Sequence, residues 1–260
     1  MIKLIASDLD GTILLNGAQS VDKSMLEAID ELVDRGYIFA PASGRQLVSL
    51  KRLFEPVSDK LLFISENGAL VKYKGETLVK NSMDRQIAMG IIEDVISVPN
   101  CEVLVSGEHT AYIKPKSVEY LYRMTKVVNY AITVVEDFND IKEDILKVAV
   151  CDMSGIENSK EHFFEKWNGI AAPTVSGSLY MDFMDLSVSK GCAIKQIQEK
   201  LGISPEECMA FGDNFNDIEM LDAVAHSYAM SGAAPEVKKH GRYTTDNVEE
   251  VLRRELLQRH

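Results

Sequence analysis

The sequence lacks several features that would place a 260-residue chain in particular protein classes. No apolar run approaches the roughly 18 residues that a membrane-spanning helix requires. The four cysteines show neither CxxC nor Cys/His zinc spacing, which favours free thiols in a reducing compartment. The phosphate-binding pattern GxxxxGKS/T is also missing, so a P-loop NTPase is unsupported. With no signal-peptide pattern at the N-terminus, we expect a cytoplasmic protein.

Positive charge is scarce. The chain has 28 Lys+Arg against 40 Asp+Glu, which gives a formal net charge of −12. Such a surface repels the phosphates of nucleic acids and of anionic membranes. We therefore expect neither nucleic acid nor membrane as a partner, and a monomer or homodimer is the ordinary expectation.

Strand and helix patterns alternate in the first and last parts of the chain. Apolar strand-like runs at Ile2–Ala6, 37–42, 61–65 and 208–211 are separated by helical patterns, which is typical of a doubly wound, mostly parallel α/β sheet. The segment between these two parts mixes helix-like and short strand-like patterns. We predict a core domain of residues 1–81 and 187–260, interrupted by an α+β domain of residues 82–186.

One local signal concerns the first helix. Ser24 and Glu27 match the capping box S-x-x-E, and apolar residues recur at helical spacing before Gly36. The pattern predicts a helix that begins near Ser24 and ends before Gly36.

Polar side chains follow three of the predicted parallel strands. Asp8 and Asp10 follow the first strand, Ser43 the second, and the acidic cluster that contains Asp213 and Asp217 a later one. Parallel strands align their carboxyl ends at one sheet edge, where these groups can converge. Asp-rich turns that merely cap helices are the alternative for each motif taken alone.

Convergence of four carboxylates would be unfavourable without positive charge. Two carboxylates about 4 Å apart repel by roughly 4 kcal/mol at an effective dielectric near 20. Oxygen-only ligands select a hard cation, and few carboxylates with room for water and phosphate suit Mg²⁺. Lys190, at the start of a predicted helix, can supply further positive charge. Such a site suits a phosphoryl group.

These motifs and their order resemble a known family. Asp8-Leu9-Asp10-Gly11-Thr12, Ser43-Gly44-Arg45, Lys190-Gly191 and the GDNFND run of residues 212–217 are similar to the four motifs of the haloacid dehalogenase-like superfamily of phosphotransferases. The insertion resembles the C2-type cap of the Cof-type sugar-phosphatase branch. The resemblance implies a Rossmann-like core with an inserted cap domain.

The resemblance also implies roles for individual residues. Asp8 would be the nucleophile that accepts the phosphoryl group, and Asp10 would protonate the leaving oxygen and then activate water. Mg²⁺ would be held by Asp8, by the backbone carbonyl of Asp10 and by Asp213. Ser43, Gly44 and Lys190 would bind phosphoryl oxygens.

The remaining residues have less defined roles. Asn216 would lie close to substrate, Thr12 would brace the first loop, and Asp217 would orient Lys190 or a metal-bound water. A helix cap for Ser43, a solvated side chain for Lys190 and a helix start at Asn216-Asp217 are the structural alternatives. For Arg45 and Asn67, substrate contact and loop structure are equally favoured.

The resemblance implies a Mg²⁺-dependent phosphatase that hydrolyses a small phosphorylated metabolite, with a sugar phosphate as the leading candidate. A phosphomutase or a phosphatase dedicated to one sugar phosphate is the alternative within the same superfamily. A non-catalytic sensor of phosphorylated metabolites is the alternative outside enzymes, although binding alone would not require both Asp8 and Asp10.

Overall fold

The computed structural model describes residues 1–128 and 130–258, so the last two residues of the predicted 187–260 segment lie outside the described part. The chain divides into two compact units. The first contains Met1–Val79 and the chain from Ser189 onward, and the second contains Lys80–Val188.

The helices and strands have the following bounds, in chain order. The first unit begins with β1 (Leu4–Ser7), α1 (Lys23–Asp34), β2 (Ile38–Pro41), α2 (Leu47–Leu53), β3 (Leu62–Ser65), β4 (Leu70–Tyr73) and β5 (Glu76–Lys80), of which the last residue already belongs to the second unit. The second unit contains α3 (Arg85–Ser97), β6 (Cys101–Ser106), β7 (Ala111–Ile113), α4 (Val118–Tyr122), β8 (Ile132–Val134), β9 (Lys147–Asp152), α5 (Lys160–Trp167), β10 (Ala172–Val175) and β11 (Tyr180–Met184). The first unit then resumes with α6 (Lys190–Leu201), β12 (Cys208–Gly212), α7 (Ile218–Asp222), β13 (His226–Met230), α8 (Pro235–Lys238), β14 (Tyr243–Thr245) and α9 (Val248–Leu252).

A parallel sheet of order β14-β13-β12-β1-β2 forms the centre of the first unit. Alternate side chains of β1 enter two different cores: Ile5 packs in the cluster that contains Ile29 of α1, and Ala6 packs in the cluster that contains Ile194 of α6. Both faces of the sheet are therefore covered by helices. The predicted doubly wound α/β fold is confirmed.

The first helix begins differently from the capping-box prediction, which is wrong. Helix α1 starts at Lys23 after Asp22, so Ser24 lies inside it. The Ser24 hydroxyl donates to Glu249 Oε2 at 2.9 Å instead of capping the helix. The buried residues Met25, Ala28, Ile29 and Leu32 form one stripe of the helix, and Asp22, which precedes the helix, makes no side-chain cap hydrogen bond.

Strand β3 continues the parallel order only briefly. A single parallel bridge joins Ala42 to Ile64, while the full length of β3 pairs antiparallel with β4. With β5 these strands form a separate three-stranded sheet. The turn at Glu66 to Gly68 therefore lies next to the loop that follows β2.

The second unit is built on a six-stranded sheet of order β10-β11-β9-β6-β7-β8. Antiparallel pairing dominates it, whereas β7 and β8 are parallel. Helices α3 and α5 pack on one face and α4 on the other. Strands β8 and β14 were not predicted from the sequence, because each has only three, largely exposed residues, too few to show a periodic pattern.

Candidate active site

The carboxyl end of β1 brings Asp8 into a buried position. All four residues of β1 are buried, and the Asp8 amide donates to the Phe211 carbonyl of β12 at 2.9 Å. The chain then turns at Gly11, where φ is +96°. A Cβ at Gly11 would clash with Asp213 Oδ2, so only glycine allows this loop to approach the neighbouring one so closely.

Three carboxylates meet at this sheet edge. Asp8, Asp213 and Asp217 each place a ligand oxygen within 4.8 Å of the other two. Thr12 Oγ1 donates to Asp213 Oδ1 at 2.9 Å, which connects the first loop with the loop after β12. The predicted convergence of these acidic groups is present in the structure.

Lys190 supplies a buried positive charge to this cluster. Its Nζ donates to Asp8 Oδ1 at 2.5 Å and to Asp217 Oδ1 at 2.6 Å. The Lys190 side chain is 1% exposed, so the solvated-lysine alternative is excluded. Helix α6 carries this lysine at its first position, directly after the N-cap Ser189, whose hydroxyl accepts from the Cys192 amide at 3.0 Å.

Burial and mutual repulsion shift the proton affinities in the cluster. Burial, together with the charges of Asp217 and Asp213, raises the pKa of Asp8 to about 7 although Lys190 acts in the opposite direction. Burial also raises the pKa of Asp213, with a further contribution from Asp217. Burial alone would lower the pKa of Lys190, but the charges of Asp8 and Asp217 outweigh it and raise the pKa above its ordinary value.

Asp217 uses both oxygens for structural contacts. Its Oδ1 accepts from Lys190, and its Oδ2 accepts from the amides of Asp213 and Asn214, both at 3.0 Å. It is fully buried. The geometry agrees with the expected role of Asp217 in orienting Lys190, and it adds the loop of Asp213 to what this carboxylate holds in place.

The Asp10 carboxylate is not part of the crowded cluster, which corrects the expectation of four converging carboxylates. Its side chain is 57% exposed and pairs with Arg45. Arg45 Nε donates to Asp10 Oδ2 at 3.0 Å and its terminal nitrogen donates to Oδ1 at 2.6 Å. Sequence reasoning missed this contact, because 35 residues separate the partners and no local pattern joins them.

The loop after β2 lies against the turn after β3. The Ser43 hydroxyl accepts from the Arg45 amide at 3.2 Å, and the Ser43 carbonyl accepts from the Asn67 amide at 3.0 Å. A Cβ at Gly44 would lie 3.0 Å from Asn67 Nδ2. Asn216 Nδ2 donates to Asn67 Oδ1 at 3.3 Å. Asn67 therefore joins two of the predicted motifs.

Two supporting residues, Ser189 and Glu219, were missed by sequence reasoning although a signal existed for Ser189. Ser189 directly precedes Lys190 at the helix start, where a serine cap is readable. Its hydroxyl also bonds to Glu219 Oε2 of α7. A Cβ at Gly191 would clash with the backbone of Glu219, so this glycine permits the close approach of α6 and α7.

The donor set fits a hard divalent cation. All candidate ligand atoms are oxygens, and with Asp8, Asp213 and Asp217 ionised the three carboxylates and the Lys190 ammonium leave two net negative charges. One divalent cation would neutralise that charge. Burial is the main cause of the raised pKa of Asp8, and the charges of Asp217 and Asp213 add to it.

A doubly wound sheet with a carboxylate cluster at its carboxyl edge places the chain among α/β enzymes. Residues 5–251 match the haloacid dehalogenase-like hydrolase family. The chain belongs to this family, and it is an enzyme of the phosphatase type.

Relatives and solved structures extend over nearly the whole chain. The chain is 26% identical over 255 residues to the 5-amino-6-(5-phospho-D-ribitylamino)uracil phosphatase of Escherichia coli, with 96% of this chain and 94% of that protein covered. It is 27% identical to the phosphatase of the same name from Bacillus subtilis, with coverage of 96% and 92%. A crystal structure from Eubacterium rectale superposes with a TM-score of 0.87 at 31% identity, covering 97% of this chain and 98% of that one.

Within the described residues, none of the helices has both the length and the apolar character needed to cross a bilayer.

Proposed function

We propose that the protein is a Mg²⁺-dependent phosphatase that hydrolyses small phosphate monoesters through a phosphoryl group carried by Asp8. The observation that supports this proposal most directly is the buried cluster itself. Asp8, Asp213 and Asp217 lie together with Lys190, whose Nζ is 2.5 Å from Asp8 Oδ1. A structural ion pair of Lys190 with Asp8 and Asp217 would not require Asp213 as a third carboxylate within 4.8 Å of both.

Asp8 is the proposed nucleophile. A carboxylate oxygen of Asp8 forms a bond to phosphorus while the bond between phosphorus and the ester oxygen breaks. Water then attacks the same phosphorus, the bond to Asp8 breaks, and inorganic phosphate is released. Lys190 favours the ionised, nucleophilic form of Asp8 at working pH, because its ammonium group opposes the effects of burial and of neighbouring carboxylates.

Asp10 is the proposed proton donor and acceptor. It gives a proton to the leaving oxygen in the first step and takes one from the attacking water in the second. Its 57% exposed side chain on the loop after β1 can reach a substrate that approaches from solvent.

Positive and neutral donors would hold the phosphoryl oxygens. Lys190, the Ser43 hydroxyl and the Gly44 amide are the proposed contacts, with Asn216 and Asn67 next to them. Mg²⁺ would be held by Asp8, the Asp10 carbonyl and Asp213, and when bound it supplies the positive charge that neutralises the phosphoryl oxygens. Thr12 and Asp217 keep the carboxylates and Lys190 in position.

Substrate choice is assigned to the second unit. We propose that residues 82–186 serve as the C2-type cap that selects the leaving group. Two relatives are named for a phosphate ester of a ribityl chain, which is a sugar-alcohol phosphate, and a third, from Enterobacter, is named as an HMP-PP phosphatase. A sugar or sugar-alcohol phosphate is therefore the proposed substrate class.

The test is phosphate release from a panel of esters by the wild type and by Asp8→Asn, with Mg²⁺ or with EDTA. The panel contains hexose and pentose phosphates, 5-amino-6-(5-phospho-D-ribitylamino)uracil, HMP-PP, nucleotides, pyridoxal phosphate and p-nitrophenyl phosphate. We expect phosphate release that requires Mg²⁺ and is lost in Asp8→Asn. A ³²P-labelled ester should label the wild-type protein but not the variant. Release that persists in Asp8→Asn would contradict the proposal.

The alternatives give different results in the same experiment. A phosphomutase would transfer the phosphoryl group between positions of a sugar phosphate without releasing phosphate. A sensor would bind an ester and release nothing. The presence of both Asp8 and Asp10 favours hydrolysis, because binding alone needs no proton donor.

A further inference from the structure

We propose that Arg45 is a positioning residue for Asp10, holding its carboxylate for proton transfer to the leaving ester oxygen and from the attacking water. This inference rests on the proposed phosphatase function, since it assigns a task to a residue of the same site. It replaces the two alternatives that the sequence left open for Arg45, which were substrate contact and loop structure.

The geometry of the pair is the main argument. The Arg45 guanidinium engages both oxygens of Asp10, at 3.0 Å and 2.6 Å, and a bidentate pair fixes the plane of a carboxylate as well as its position. Among the described residues, Arg45 supplies all side-chain hydrogen bonds to the Asp10 carboxylate. A side chain that is 57% exposed would otherwise rotate freely in solvent.

Arg45 is itself held in place by the loop that carries it. Its amide donates to the Ser43 hydroxyl at 3.2 Å, and its carbonyl accepts from the Glu66 amide at 3.2 Å. The backbone of Arg45 is thus fixed on both sides by residues next to the proposed phosphoryl-binding group. Only 31% of its side chain is exposed. The Arg45 guanidinium therefore ties the exposed Asp10 carboxylate to a loop whose backbone is held by hydrogen bonds.

A surface ion pair with no function is the opposing interpretation. Such pairs contribute about 0–1 kcal/mol to stability, so stability alone gives little reason for this contact. In contrast, restricted rotation should raise the rate of proton transfer from an exposed acid, because the acid must point at the leaving oxygen. Misplacement by about 1 Å can lower a rate about 100-fold.

The test exploits the leaving group. An alkyl ester such as glucose 6-phosphate leaves as a poor alkoxide that needs a proton, whereas p-nitrophenolate leaves without one. The ratio kcat/KM reports the steps up to transfer of the phosphoryl group to Asp8, so the later attack of water does not enter it. The variants are Arg45→Gln, Arg45→Lys, Asp10→Asn and the double variant Arg45→Gln/Asp10→Asn.

We expect Arg45→Gln to lower kcat/KM for the alkyl ester by about 10- to 100-fold, a part of the roughly 10²- to 10⁴-fold contribution of a positioned general acid, and for the aryl ester by less than about threefold. Arg45→Lys should fall between Arg45→Gln and the wild type, because an ammonium group cannot form the bidentate pair. The double variant should be no slower than Asp10→Asn, since Arg45 acts only through Asp10.

Three results would overturn the inference. Equal losses of kcat/KM for both esters would indicate direct substrate contact, and an unchanged kcat/KM for the alkyl ester would show that Asp10 needs no positioning. Additive losses in the double variant would show that Arg45 acts independently of Asp10. Lys51→Gln, an exposed lysine of α2, is the matched control for the removed charge, and thermal melts of every variant separate a folding defect from a kinetic one. Absence of activity in the wild type towards every ester would instead refute the proposed function itself.

Discussion

Replacing Asp8 by asparagine should stabilise the metal-free protein at pH 8, although it removes the proposed nucleophile. Asp8 is only 6% exposed and shares its site with Asp213 and Asp217. Burial, reinforced by these two carboxylates, raises the pKa of Asp8 to about 7. Asparagine carries no charge at any pH between 5 and 8, and its side-chain carbonyl oxygen can still accept a hydrogen bond from Lys190.

The magnitude follows from the two pKa values. The pKa of Asp8 is higher in the folded protein than in the unfolded chain, so the folded protein binds the proton of Asp8 more tightly. This stabilisation by the proton is fully present below about pH 4 and is lost as the pH rises through about 7. A tenfold change in proton affinity corresponds to about 1.4 kcal/mol. The difference between 3.8 and about 7 therefore corresponds to a loss of up to ~4 kcal/mol at pH 8 in the wild type, and Asp8→Asn avoids that loss.

The assay is thermal unfolding in EDTA at pH 5 and at pH 8. Domains of this size class change Tm by about 2–4 °C per kcal/mol, so we expect Asp8→Asn to melt above the wild type by several degrees, and at most about 15 °C, at pH 8. The gap should narrow at pH 5. Added Mg²⁺ should raise the Tm of the wild type more than that of the variant, because the variant lacks one proposed ligand.

Asp246→Asn is the matched control, because Asp246 is an exposed aspartate of the same unit. It should leave the pH dependence of Tm unchanged. The reasoning would be refuted if Asp8→Asn melted at or below the wild type at pH 8, or if the difference between the two proteins were the same at both pH values.

Two further predictions concern a glycine of the site and a buried acid of the second unit. Gly11→Ala should lower kcat by more than about tenfold and weaken Mg²⁺ binding, because its Cβ would displace Asp213, whereas Gly17→Ala, also at positive φ but in open space, should leave kcat unchanged. Asp94→Asn should lower the free energy of unfolding of the second unit by about 1–3 kcal/mol at pH 7, because the Asp94 carboxylate accepts from Trp167 Nε1 at 2.8 Å.

The Asp94 prediction has a defined pH dependence and reporter. Burial opposes ionisation of Asp94, but hydrogen bonds from Lys166, Trp167 and His162 prevail and lower its pKa. Its contribution to stability is therefore present above about pH 4 and lost as the pH falls through the folded pKa. Fluorescence of Trp167, the single tryptophan, follows unfolding, and Glu165→Gln on the same helix is the control. A gap between wild type and Asp94→Asn that persisted below pH 3 would contradict this assignment.

The site shows where sequence reasoning succeeds. The positions of Asp8, Ser43 and Asp213 followed from one rule, because each comes directly after an apolar strand and parallel strands end at a common edge. Lys190 was predicted as the first residue of a helix, and the structure has that helix at Lys190–Leu201.

Sequence reasoning failed where the outcome depends on contacts that are distant in the chain. Arg45 could face substrate, solvent or Asp10, and only the approach of two loops selects Asp10. Ser24 has the right residue type for a helix cap, yet Asp22 precedes the helix and Ser24 contacts Glu249. Strands β8 and β14 have only three residues each, too few to show a periodic pattern, so only their pairing with β7 and β13 defines them.

The sequence by itself determined the doubly wound fold and the set of candidate site residues, because local periodicity and strand-end position are properties of short segments. The tertiary structure decided how those residues divide the work. It placed Asp217 between Lys190 and the loop of Asp213, it buried Asp8 beside Asp213 and Asp217, and it left the Asp10 side chain exposed beside Arg45. The burial of a side chain and its distance from other charges depend on residues from many parts of the chain, so no short segment could specify them.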